Sequence, residues 1–202
     1  MPEVHGNLEG IRKSVLDEMA AFYDVQLDSD IFMPQDLLQS LCGYSAFLNR
    51  EIAVYITRDG EIADVFIGKA ASIDLPDIRL RRSERRLSMI RCIHTHPSGT
   101  GMLSDVDISA LTSMRFDAMC AVGVAADGHI TSTQCAFLDP SAPDGVNRTE
   151  VINARKMPQA EWMEMIEEAD RAYFAEVKEE KDGLERAVLV GIENEQSLDE
   201  LQ

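Results

Sequence analysis

Two histidines one residue apart, His94 and His96, followed by Ser104 and Asp107, are the part of this sequence best suited to chemistry. On a strand, side chains alternate between faces, so both imidazoles point the same way and can reach one ion. Pro97 ends such a strand and lets the chain turn over the site. A loop from Ser98 to Leu103 then leads to a helix whose first turn presents Asp107 as a third ligand. Two imidazoles, a carboxylate and an open position suit a catalytic zinc ion, because the open position holds a polarised water.

Each half of this pattern also has a plainer reading. A His-x-His pair can be two satisfied polar residues. Ser104-x-x-Asp107 has the form of a capping box, in which each side chain bonds the other's backbone N–H. Their succession favours a metal site: of four histidines, two share one strand directly before a glycine-containing loop and a carboxylate. Ser104 can cap the helix while Asp107 binds the ion. Hydrolysis further needs a base to take a proton from water. Glu51, just ahead of the first hairpin strand, is the candidate, and Glu61, at the opposite end of that hairpin, is its competitor. Cys92 alternates with the two histidines, and its plainer role is core packing.

The elements that must position these residues follow from periodicity. Apolar residues from Leu8 to Phe22 recur at helical spacing, which predicts a helix over Asn7–Tyr23 with Asn7 as its cap. A second helix is predicted over Pro34–Asn49, with proline in the first turn. Ile52 to Ile56 and Ile62 to Ile67 read as a hairpin closed by Asp59-Gly60, with both turn residues at positive φ and Arg58 facing Glu61. Further strands are expected over Ser72–Leu75, Ser88–His96, Ala118–Val124 and Ile130–Leu138, and a helix over Ser104–Phe116. Asp127-Gly128 joins the last two strands, and Asp139–Asn147 reads as a loop. Glu161–Lys178 is a charged amphipathic helix with an apolar stripe of Trp162, Met165, Ile166, Ala169 and Phe174.

Composition narrows the function classes. The 202 residues carry a net charge of −17, which repels phosphate at long range and argues against a general nucleic-acid binder. The one basic cluster, Arg79, Arg81, Arg82, Arg85 and Arg86, could grip rRNA or pair with nearby carboxylates, and the second is the simpler expectation. Four dispersed cysteines with no C-x-x-C pair read as reduced, buried thiols. No apolar leader and no membrane-length run is present, so the chain reads as soluble and cytoplasmic. His5 and His129 receive no role, and no G-x-x-x-x-G-K-[ST] loop is present to hold a nucleotide.

His94-x-His96-Pro97 followed by Ser104-x-x-Asp107 resembles the JAMM (MPN+) metalloprotease motif in residue type and spacing, and His96-Pro97-Ser98-Gly99 with the hairpin before it resembles RadC-type proteins. The resemblance implies that His94, His96 and Asp107 bind zinc, that Ser104 steadies the oxyanion, and that Glu51 is the base. It also implies an α/β fold: a three-layer α/β/α sandwich with a curved mixed sheet, of the cytidine-deaminase-like type. The segments Gly6–Arg12, Asn49–Ile52 and Cys92–Pro97 are further similar to the N-terminal extension of some bacterial HflX-type GTPases. Residues 1–150 would then be the metal-binding domain, 151–183 a charged helix and linker, and 184–202 the truncated start of the next HflX-type domain. The JAMM resemblance implies zinc-dependent hydrolysis of an amide bond in a peptide or protein, and the HflX resemblance offers the alternative of a non-catalytic docking module of a ribosome-associated GTPase whose nucleotide chemistry lies outside this chain.

Overall fold

A computed structural model describes residues 3–28, 31–72, 87–139, 142–150, 154–158, 160–168 and 171. Seven strands form one mixed sheet: β1 (His5–Gly6), β2 (Ile52–Thr57), β3 (Ile62–Ile67), β4 (Ile90–His96), β5 (Ala118–Val124), β6 (Ile130–Leu138) and β7 (Val146–Glu150). Their order is β1-β3-β2-β4-β5-β6-β7. The β4–β5 and β1–β3 pairs are parallel and the others antiparallel. Central β2, β4 and β5 are buried along nearly their whole length; β2 and β5 are accordingly apolar runs rather than alternating ones, while β4 buries Arg91, His94 and Thr95 among its apolar residues.

Helices cover both faces. Helix α3 (Asp105–Met114) packs over β5 and β6 on the face that carries His94. Helix α2 (Gln35–Leu48) crosses β2, β4 and β5. It lies on the other face, where Arg155 acts on Cys42 and bonds Thr133 of β6. On that face Arg91 of β4 is fully buried, its guanidinium 5.2 Å from the Trp162 ring centre and 5.9 Å from that of Phe32. Cation–π contact therefore ties the helical segment 160–168 to the strand that bears both histidines.

Several local expectations are corrected. The first helix, α1, is Lys13–Ala20, continued by a 3-10 turn at Ala21–Asp24, and its cap is Arg12 rather than Asn7. Gly6 and Gly10 both take positive φ, and Asn7 N–H bonds Ile67 O at 2.7 Å, so the preceding segment extends the sheet edge instead. In the hairpin only Gly60 has positive φ, and Glu61 O accepts from Thr57 N, so the turn carries one more residue than a two-residue loop. Pro34 is the cap of α2 rather than its first residue. The expected loop after Asp139 is shortened because β7 begins at Val146 and pairs with β6. The helix expected over Glu161–Lys178 is helical at 160–168, with Trp162 and Ile166 buried as the stripe requires. The expected strand beyond Ser72, the arginines from Arg79 to Arg86, and the whole of 184–202 lie outside the described residues. No helix among the described residues is long and apolar enough to cross a membrane.

The cysteines also depart from expectation. Cys120 and Cys135 are directly opposite one another across the antiparallel β5–β6 pair and are joined by a disulfide. Cys42 and Cys92 are free and buried. Wide spacing in sequence hid the pair because register, not sequence distance, brought the two thiols together. Alkylation of the denatured but unreduced chain is expected to label only Cys42 and Cys92, read by mass spectrometry, with Cys120 and Cys135 labelled only after reduction. Labelling of all four before reduction would contradict this pairing.

Candidate metal centre

His94 and His96 point from the same face of β4, as their spacing requires. Their Nε2 atoms are 2.9 Å apart. Asp107 Oδ1 lies 3.2 Å from His94 Nε2, and Oδ2 lies 4.0 Å from His96 Nε2. Tetrahedral zinc with bonds of about 2.0 Å to nitrogen or oxygen separates its ligand atoms by about 3.3 Å. The three side chains therefore fit a single ion, and they are the group that could hold one among the described residues. His94 is 1% exposed, whereas His96 and Asp107 are 12% exposed, so the site opens outward on their side.

Local structure aims each group. His96 Nδ1 lies 2.9 Å from Thr100 O, a carbonyl that can only accept, so this nitrogen carries the proton and Nε2 keeps its lone pair. Ser104 caps α3 through a complete capping box: its Oγ accepts from Asp107 N at 3.2 Å, and Asp107 Oδ2 accepts from Ser104 N at 2.7 Å. The Ser104 hydroxyl also donates to Oδ2 at 2.7 Å. Oδ1 is left facing His94, so the cap and the ligand role coexist on the two oxygens of one carboxylate.

Glu51 precedes β2, and Ala53 pairs with His94, so two residues earlier Glu51 is on the same face as the histidines. The corner that carries it is tightly held. Asn49 takes the left-handed conformation that ends α2, Ser45 Oγ donates to Arg50 O at 2.8 Å, and the Arg50 guanidinium donates to Asn7 O and Glu9 O. Thr95, between the two histidines, accepts Ile52 N–H at 3.0 Å on the opposite face. Nothing in its spacing marked Thr95 as part of the site. Glu61 is at the far end of the hairpin, as expected, and Cys92 is core rather than a member of the converging group.

The electrostatics are those of a compact charged site. Burial acts to lower the His94 pKa, but hydrogen bonding to Asp107 and then to Cys92 raises it to about 10. Burial, and then the neighbouring His94, lowers that of His96. Burial would raise Asp107, yet bonds to His94 and Ser104 hold its carboxyl well below the usual range. The two shifts have one cause, since each group favours the charged form of the other. Burial pushes Glu51 up to about 7, with His94 opposing and Asp107 adding to the rise.

Compared with protein-family models and with curated proteins, the chain matches none.

The raised Glu51 pKa has a defined sign. In metal-free protein the native carboxyl keeps its proton up to about pH 7, while the unfolded chain releases it near 4.5. The Glu51 contribution to stability is thus lost as pH rises between those values and stays lost above them. Glu51→Gln removes that penalty. Denaturant titrations in a chelator should show the variant gaining on wild type from pH 5 to pH 8, by up to the order of 3 kcal/mol. A stability difference that does not change with pH would refute the burial of this carboxyl.

Proposed function

We propose that this chain is a JAMM-like metal-dependent hydrolase that cleaves an amide bond in a peptide or protein, with zinc as the metal. The convergence of His94, His96 and Asp107 on one point is the observation that carries this reading. The mixed sheet with helices on both faces is compatible with the cytidine-deaminase-like fold that JAMM proteins have. In this reading the chain is an N-terminal region like that of HflX-type GTPases.

When bound, the ion supplies Lewis acidity, which lowers the pKa of water and polarises a carbonyl. The residues around it supply the rest. Glu51, on the same face, takes the proton of the attacking water and passes it to the departing amine as the C–N bond breaks. Burial favours the protonated carboxyl that would deliver a proton to the amine, and a divalent charge nearby would favour the ionised form that takes one from water. Ser104 has one hydroxyl proton, now directed at Asp107 Oδ2. Turning that proton toward the tetrahedral oxyanion leaves Oδ2 still bonded to Ser104 N–H, so the helix cap survives the exchange. Exposed Met102 and Val106, on the loop and first turn that carry Ser104 and Asp107, offer an apolar rim to the substrate chain.

The test uses zinc-loaded protein, a pool of proteome-derived peptides, and mass spectrometry to read new termini. Cleavage is expected in wild type and absent after chelation. Glu51→Gln should keep one zinc per chain, by elemental analysis, while cleavage falls by roughly 10²- to 10⁴-fold. His94→Ala should lose the metal as well as the activity. Cleavage that survives both chelation and Glu51→Gln would rule the mechanism out.

A further inference from the structure

The loop from Pro97 to Leu103 provides no ligand, yet it joins His96 to the cap of Asp107. Its backbone is held by side chains of β6 at every other residue. Thr131 Oγ1 donates to Gly99 O at 2.6 Å, Ser132 Oγ accepts from Gly101 N at 2.8 Å, and Gln134 Oε1 accepts from Leu103 N at 2.8 Å. Between the first two anchors is Thr100, whose carbonyl faces His96 Nδ1.

The loop also lies flat on the sheet. A Cβ on Gly101 would come within 2.3 Å of Ser132 O and 2.8 Å of Gly123 N, and one on Gly123 within 2.6 Å of Gly101 N. Gly123 is the register partner of His96, so the close approach falls beside the ligand. Two glycines that admit no side chain let the loop reach the β6 hydroxyls and amide.

We infer that Thr131, Ser132 and Gln134 are positioning residues of the metal centre. They fix Thr100 O where it selects the His96 tautomer with a free Nε2, and they fix Leu103 so that α3 begins with Asp107 facing the histidines. Groups behind the ligands that set tautomer and orientation are worth about 10- to 100-fold in metal affinity. The inference rests on His94, His96 and Asp107 binding a divalent ion, and not on amide hydrolysis.

The experiment compares the full chain with a shape-matched variant, Thr131→Val, Ser132→Ala and Gln134→Met combined. Zinc affinity is read by competition with a fluorescent chelator, metal-free melting temperature in EDTA, and histidine tautomers by ¹⁵N NMR. The expected result is affinity lower by about 10- to 100-fold with a near-unchanged metal-free melting temperature. The His96 Nδ1–H signal should give way to a mixture of tautomers. If the triple variant does not fold, Ser132→Ala and Gln134→Met are read singly, and Ser132→Thr, which keeps the acceptor, should bind zinc within about threefold of wild type. Zinc affinity within about twofold of wild type, or an unaltered His96 tautomer, overturns the positioning role. A wild-type chain that takes up no zinc overturns the metal assignment itself and so separates the two failures.

Discussion

Two imidazole Nε2 atoms 2.9 Å apart, with a carboxylate against one of them, cannot all present lone pairs to the same buried point without positive charge between them. Either a proton or a metal ion must supply it. Most of the structure around the site can be understood as holding those three donors together against their repulsion. Strand β4 fixes the histidines, the capping box fixes the carboxylate, and the loop that joins them is tied to β6. The burial of His94 makes the arrangement costly unless the charge is neutralised, which is why Asp107 and His94 perturb one another so strongly.

The supports come from distant parts of the chain. Thr95 braces the start of β2 beside Glu51, and Arg50 reaches back to the carbonyls of Asn7 and Glu9. On the far face, Arg91 packs against the adjoining rings of Phe32 and Trp162; burial lowers its pKa, Asp117 opposes that shift, and Asp117 is itself held by Arg58 from the hairpin turn. Strand β4 thus carries ionisable groups on both faces, the candidate metal ligands on one and a cation–π contact on the other. Segments before, within and after the central strands all converge on it.

What the sequence made legible was local. His-x-His on a strand, Ser-x-x-Asp at a helix start and a glutamate ahead of a hairpin each encode their geometry in a few residues, and all are found where their periodicity puts them. The misses share a cause, which is that register and close approach are set by distant partners. The Cys120–Cys135 pair depends on the β5–β6 alignment, β7 on an edge that β6 leaves open, and the clasp of Thr131, Ser132 and Gln134 on a loop folded back across β5. Periodicity predicts an N-terminal helix longer than α1 because Leu8 and Ile11 fit its period, although they pack against the core from outside the helix. Gly10 was the available warning, since its positive φ lies just before the helix begins.

Anomalous diffraction at the zinc absorption edge, on crystals grown with zinc, tests the central claim most directly. The expected result is one strong peak coordinated by His94 Nε2, His96 Nε2 and an Asp107 oxygen at about 2.0–2.2 Å, with a further position open to solvent. No peak between these side chains, or a peak held elsewhere by other ligands, would contradict it.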